Sequence, residues 1–106
     1  MAQIITSRED GLRINVKPAN GKFFTLDEIQ WLVSTNNKPA YFQHVPLQRN
    51  SYEFNAVHPF TVMLCDEEGL VHGEDEKNEF ATSCSFSDIY GNVLICNTDS
   101  EGEYIE

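Results

Sequence analysis

One stretch of the chain, residues 24–33, combines a helical spacing of apolar residues with a marked helix start. Its apolar positions repeat at three- and four-residue steps and are Leu26, Ile29, Leu32 and Val33. Thr25 and Glu28 have the spacing of a capping box, in which each side chain accepts a hydrogen bond from the other residue's backbone amide. Residues 34–39 favour turns and end in Pro39, which cannot continue a helix. The pattern predicts one amphipathic helix that packs on a sheet.

Most of the remaining apolar segments have the pattern of strands. They are residues 4–7, 12–17, 40–45, 60–65, 70–73 and 90–96. Residues 60–65 are apolar on both faces apart from Thr61, so we place them centrally in the sheet. A short helical turn is expected at residues 80–82.

The first two strands are predicted to form a hairpin. They flank Asp10-Gly11, a common turn pair because glycine accepts positive φ. The second strand alternates, and we expect Leu12, Ile14 and Val16 to face the core while its other side chains face water.

Runs of strands with one strong helix, without a regular alternation of strand and helix, predict an α+β fold. We expect a single domain over residues 1–98, with an antiparallel or mixed sheet of five or six strands and the main helix packed on one face. Residues 99–106 are polar and acidic and are expected to form a flexible tail.

The net charge of −10 lies almost wholly in the second part of the chain. Residues 1–65 carry five acids and six bases, whereas residues 66–106 carry twelve acids and Lys77 alone. Such a surface repels polyanions and attracts basic partners, so nucleic acid and anionic membranes are poor direct partners. No stretch has the pattern of a secretion signal or a membrane span, which leads us to expect a cytoplasmic protein.

Seven carboxylates crowd into residues 66–79. They are Asp66, Glu67, Glu68, Glu74, Asp75, Glu76 and Glu79. The run lacks the register of an EF-hand loop, with its alternating oxygen ligands, sixth glycine and twelfth glutamate, so calcium is not predicted. Two interpretations remain open. The run is either a solvated turn or a partner-binding surface that imitates DNA. Duplex DNA carries one charge per about 1.7 Å, so the number of phosphates over the width of one domain is of the same order as the excess of acids in residues 66–106.

The cysteines and histidines do not have the spacing of a zinc site or of a catalytic cysteine. They are Cys65, Cys84, Cys96, His44, His58 and His72. Zinc ligands usually come in near pairs such as C-x-x-C, and the acids that follow Cys65 would raise the pKa of its thiol. A phosphate-binding glycine loop and a G-x-S-x-G motif are also missing. We therefore expect a non-enzymatic protein with buried thiols, no metal and no cofactor.

Some aromatic residues fall outside the predicted core pattern. Trp31 lies off the apolar face of the helix, and others lie near the least regular part of the chain, namely Tyr41, Tyr52, Phe54 and Phe60. They either fill the core or form a patch for a partner or for self-association, because aromatic residues anchor many interfaces. We expect a monomer or a homodimer.

In the order of its segments, the chain resembles a family of small uncharacterised proteins carried by phages, plasmids and other mobile elements. The matching segments are residues 20–33, 62–70, 78–82 and 91–96. Residues 34–40 stand where the family runs from the helix through a glycine pair into the next strand. The family brings no established activity, so the resemblance implies only a setting, that of a small protein that helps a mobile element in a bacterial host cell.

The acidity and the resemblance together suggest a function. We hypothesise that the protein binds and inhibits a basic nucleic-acid-handling host defence protein, such as a defence nuclease, as anti-CRISPR and anti-restriction proteins do. DNA mimicry is one form of this binding, and the seven carboxylates between Asp66 and Glu79 would carry it. The alternative is a small-ligand or nucleotide-binding accessory protein of a phage or plasmid, with a polar pocket between helix and sheet.

Overall fold

Six antiparallel strands form one sheet in the part of the chain that the structure describes, a computed structural model in which residues 2–6, 13–34, 38–45, 61–68 and 77–106 are placed. The strands are β1 (Gln3–Ile5), β2 (Arg13–Asn15), β3 (Phe42–Val45), β4 (Thr61–Asp66), β5 (Val93–Thr98) and β6 (Tyr104–Ile105). The helices are α1 (Leu26–Leu32) and α2 (Glu79–Ser83). The order across the sheet is β2-β1-β5-β4-β3, and β6 also pairs with β5. The predicted α+β class is confirmed. The strand expected at residues 70–73 lies outside the described residues.

β4 and β5 form the centre of the sheet, because each pairs with a neighbour along both of its edges. Leu94 on β5 lies opposite Leu64 on β4 and opposite Ile4 on β1. Residues 63–66 and 93–96 are buried without a break, as expected for strands that are covered on both faces. The central position predicted from the apolar run at 60–65 is therefore confirmed for β4.

Each face of the sheet has a helix and its own hydrophobic cluster. The cluster under α1 contains Ala2, Ile4, Phe24, Ile29, Val33, Ala40, Leu64, Leu94 and Cys96. The cluster on the opposite face contains Ile5, Val45, Met63, Cys65, Ala81, Ile89, Val93 and Ile95. Neighbouring residues of β4 and β5 alternate between the two clusters, which is the period-two pattern of a buried sheet. The main helix packs on one face as predicted, and α2 forms where a short helical turn was expected.

The capping box predicted at the start of α1 is present. The backbone amide of Glu28 donates to Thr25 Oγ1 at 3.2 Å, and Glu28 Oε1 accepts from the backbone amide of Thr25 at 3.0 Å. Glu28 also does something that its spacing did not predict, since its Oε2 accepts from the backbone amide of Ala19 at 3.0 Å. One carboxylate thus holds both the first turn of the helix and the turn that precedes it.

These bonds make part of the stability dependent on pH. The backbone amides of Thr25 and Ala19 lower the pKa of Glu28 below its ordinary value of 4.5. A lowered pKa stabilises the fold above the ordinary value, and this stabilisation is lost as pH falls through the lowered one. We expect Glu28→Gln to cost about 0.5 kcal/mol at pH 7. The difference from the wild type should shrink below pH 4.5 in urea titrations, and a constant difference at every pH would contradict this account.

β1 and β2 form the antiparallel pair predicted around Asp10-Gly11, which lies outside the described residues. β2 lies at the edge of the described sheet, and all three of its residues are exposed. Ile14 shows 44% of its surface although we expected it to face the core, whereas Val16 is partly buried against the cluster under α1. On the other face, the guanidinium carbon of Arg13 lies 4.2 Å from the ring centre of Phe80. The alternation fixes the direction of each side chain, but the edge position leaves Ile14 half uncovered.

Residues 99–106 fold back onto the sheet in place of the flexible tail expected from their polarity. Asp99 Oδ1 accepts from two backbone amides of the turn, at 2.9 Å each. The chain then returns as β6, and the carbonyl oxygen of Tyr104 accepts from the backbone amide of Phe24 at 2.8 Å. Residues 99–103 therefore form a turn and Tyr104–Ile105 belong to the sheet, which differs from the expected boundary after residue 98.

Candidate functional site

The structure places four of the seven carboxylates that were predicted to bind a partner. Asp66 ends β4 and is buried, whereas Glu67 and Glu68 lie exposed in the turn that follows. Glu79 is exposed in the first turn of α2. The remaining three, Glu74, Asp75 and Glu76, lie outside the described residues. Asp66 is thus set apart from its neighbours, because a buried carboxylate cannot present its charge to a partner surface.

Asp66 instead fixes the turn that displays its neighbours. Its Oδ1 accepts from the backbone amide of Glu68 at 2.8 Å, a local bond typical of aspartate at turns. The backbone amide of Glu67 donates to the carbonyl oxygen of Tyr41 at 2.8 Å, which ties the turn to the chain before β3. Glu67 and Glu68 are therefore carried on a backbone that is hydrogen-bonded from two sides.

Asp88 joins this site although sequence analysis did not select it. Glu67 and Asp88 line one hollow of about 170 Å³, together with Gln43, Asp66 and Tyr90. Lys77 Nζ lies 3.5 Å from Asp88 Oδ1, and both side chains are substantially exposed, so this ion pair compensates the charge only weakly. Asp88 is twenty-one residues from Glu67 and outside the acidic run, so only the sheet topology brings the two together.

Asn78 anchors α2 beside the same end of the sheet. Its Nδ2 donates to the carbonyl oxygens of Ile5 at 3.1 Å and Gly91 at 2.9 Å, and its Oδ1 accepts from the backbone amide of Ala81 at 3.0 Å. Ile5 pairs with Val93, the β5 residue that also lies opposite Cys65 at the end of β4. α2 therefore starts at the same end of the sheet as the turn that follows Asp66. We call Glu67, Glu68, Glu79 and Asp88 the acidic sheet end.

A second group of acids lies at the opposite end of the sheet. It surrounds the turn between β5 and β6 and contains Asp99, Glu101, Glu103 and Glu106. We call this group the hairpin end. The six residues of β5 separate the two ends by about 17 Å, at roughly 3.4 Å per residue. Residues 66–106 form one acidic region in the sequence, but the fold places the described acids of this region at two separate ends of the sheet.

The thiols are poorly placed for chemistry. Cys65, Cys84 and Cys96 are all free and buried. Burial raises the pKa of Cys96 to about 12, and burial also raises the pKa of Cys65. A reactive cysteine needs a lowered pKa and access to its substrate. No group of three or more metal-binding side chains occurs among the described residues.

A larger hollow lies between α1 and the residues that follow β2. It has a volume of about 470 Å³ and is lined by Val16, Lys17, Asp27, Glu28, Trp31 and Leu32. Trp31 shows 53% of its surface, in agreement with the sequence pattern that placed it off the apolar face of the helix. The walls are largely apolar, whereas the small-ligand alternative calls for a polar pocket between helix and sheet.

Comparison with protein-family models, with curated proteins and with solved structures finds no match for the chain. In the part of the chain that the structure describes, neither helix has the length and apolar character that crossing a bilayer requires.

Proposed function

We propose that this is a non-enzymatic binding protein that attaches its acidic sheet end to a basic surface of a nucleic-acid-handling protein. The observation that carries the proposal is the turn after β4, where Glu67 and Glu68 are exposed on a backbone fixed by Asp66 and by Tyr41. Charges on a fixed backbone lose less conformational entropy on binding than charges on a flexible segment. Such an arrangement favours recognition by complementary charge.

The class of partner follows from the sign of the charge. Seventeen acids stand against seven bases in the whole chain, so a phosphate backbone is repelled and a cationic surface is attracted. Proteins that hold nucleic acid present cationic surfaces of this kind. The resemblance to mobile-element proteins supports a defence nuclease as the partner, with inhibition of the anti-CRISPR or anti-restriction type as the outcome.

DNA mimicry in the strict sense also requires a minimum number of negative charges along the binding surface. Duplex DNA carries one charge per about 1.7 Å, so an imitation of about 17 Å would need some ten charges along its length. The acidic sheet end alone holds four acids among the described residues, one of them paired with Lys77. A mimic would therefore have to engage the hairpin end as well, whereas simple charge pairing needs one end only.

The first experiment is capture of the partner. The tagged protein should retain a basic, nucleic-acid-binding protein from bacterial host lysate at low salt and lose it at high salt, because exposed charge pairs are screened. Mass spectrometry would identify the retained protein. Retention of no basic protein at either salt would contradict the proposal.

Two matched variants then locate the surface. We expect Glu67→Lys with Glu68→Lys to weaken binding of the captured protein by about tenfold or more, since each reversal removes an attraction and adds a repulsion. Glu101→Lys with Glu103→Lys makes the same change in net charge at the hairpin end and should have little effect. Equal losses in both variants would favour the two-ended DNA mimic. Unchanged affinity in the first variant would exclude the acidic sheet end as the binding surface.

A further inference from the structure

The hollow beside α1 combines an exposed tryptophan with an adjacent depression. Trp31 is half exposed, whereas Ile29 on the same helix and the C-cap residue Val33 are fully buried. Val16 on the neighbouring chain segment and Leu32 on the helix form apolar walls of the hollow that Trp31 also lines. The half-exposed indole thus forms one wall of an open hollow of about 470 Å³. An exposed tryptophan beside an apolar hollow is the kind of residue that anchors protein interfaces.

The same surface carries one positive and one negative side chain that have no partner among the described residues. Lys17 and Asp27 both line the hollow and are both exposed. In the described part of the chain, neither side chain makes a hydrogen bond or an ion pair. Glu28, the third charged residue of the hollow, is already bound to the amides of Thr25 and Ala19. The hollow therefore offers a cation and an anion that a partner could pair at the same time.

Such a surface is complementary to itself. In a twofold dimer the same surface of each copy meets the other. A patch that carries an exposed indole, an apolar hollow, a cation and an anion can therefore pair the indole with the hollow and the cation with the anion. The first part of the chain is also the place where two copies repel each other least. Residues 1–65 are close to neutral, and the described acids of residues 66–106 lie at the two ends of the sheet.

We propose that two copies of this chain associate through the surface formed by Val16, Lys17, Asp27, Trp31 and Leu32, which we call the Trp31 face. Trp31 of each copy enters the hollow of the other, and Lys17 of each copy pairs with Asp27 of the other. The acidic sheet end takes no part in this contact. The proposed dimer therefore does not depend on the proposed binding function. It would present two copies of the acidic sheet end.

The chain supplies its own reporter, because Trp31 is its single tryptophan. In a dilution series at low salt, we expect sedimentation equilibrium to show a reversible monomer to dimer transition. The emission of Trp31 should shift to shorter wavelength as the dimer forms and water leaves the indole. Trp31→Ala should abolish the dimer. Leu26→Ala should retain it, because Leu26 is 61% exposed on the same helix but does not line the hollow.

Charge exchange tests the pairing itself. Lys17→Asp and Asp27→Lys should each weaken dimerisation by roughly tenfold, since a twofold contact loses two charge pairs at once. Lys17→Asp with Asp27→Lys should restore it. Asp27→Lys is the decisive single variant, because it lowers the net negative charge and would strengthen a dimer that responded only to overall repulsion. Glu101→Lys is its control, with the same change of charge at the hairpin end.

A chain that stays monomeric up to millimolar concentration, with constant tryptophan emission, would overturn the proposal. A dimer that survives Trp31→Ala would also overturn it, because another surface would then hold the two copies together. If Asp27→Lys weakens α1, melting curves will show this, and Lys17→Asp still tests the pairing from the other side.

Discussion

Replacing Asn78 by aspartate should destabilise the fold by about 3 kcal/mol or more, although aspartate is as good a helix cap as asparagine. The Asn78 side chain is buried and uses both of its ends, since Oδ1 caps α2 while Nδ2 donates to the carbonyl oxygens of Ile5 and Gly91. Aspartate keeps the cap but has no donor. Two carbonyl oxygens would lose their partner and would face a buried carboxylate, and each of these changes costs about 1 to 3 kcal/mol.

Asn20 provides a matched control for this substitution. Its Oδ1 accepts from the backbone amides of Lys22 and Phe23 at the surface, and aspartate can do the same. Urea unfolding at pH 7 should therefore show a large loss for Asn78→Asp and almost none for Asn20→Asp. If Asn78→Asp does not fold at pH 7, Asn78→Ser still tests the bonds, because serine caps α2 without the two donors. Equal stability of the two aspartate variants would show that the bonds from Nδ2 contribute nothing.

Asn78 also shows where sequence reasoning stops. The capping box of Thr25 and Glu28 could be predicted because its partners are three residues apart and the residue types suffice to identify it. Ile5 is seventy-three residues from Asn78. Its carbonyl group is the same in every residue type, so no pattern could have identified it as a partner. Local helix caps can therefore be predicted from the sequence, whereas long-range hydrogen bonds to backbone groups cannot.

The candidate site divides in the same way. The acidic run predicted exposed charge, and the structure places Glu67, Glu68 and Glu79 at the surface. The burial of Asp66 and the addition of Asp88 depend on how β4 ends and on which chain segment lies beside it. Neither feature could be predicted from the sequence, because the sequence does not show whether an aspartate in a turn faces water or accepts a hydrogen bond from a backbone amide.

The hairpin end shows a different reason for failure. Residues 99–106 are polar and acidic, and two-residue strands such as β6 fall below any length at which a periodic pattern can be recognised. What holds β6 is its position beside β5 and the contacts of a single aromatic residue. The Tyr104 ring lies 6.0 Å from the Phe42 ring and 5.6 Å from the His44 ring, both edge to face.

Deleting residues 99–106 should therefore destabilise the protein by about 3 kcal/mol or more. The deletion removes the pairing of β6 with β5, the acceptor of the Phe24 amide and the Tyr104 ring together. A flexible acidic tail would behave in the opposite way, because its loss would relieve repulsion in a chain of net charge −10 and leave stability unchanged or raised. The sign of the change in urea unfolding thus separates the two descriptions.

Single substitutions at Tyr104 show how much of the lost stability comes from its ring and how much from its hydroxyl. Tyr104→Ala should cost about 2 kcal/mol, less than a fully buried aromatic residue, because the side chain is partly exposed. Tyr104→Phe keeps the ring and removes only the hydroxyl that lies 2.6 Å from His44 Nε2, so it should cost about 1 kcal/mol or less. Neutralising Glu101 and Glu103 to glutamine controls for the lost charge and should not destabilise the fold. If Tyr104→Ala were as stable as the wild type while the deletion was not, backbone pairing rather than the aromatic contact would hold the C-terminal strand to the sheet.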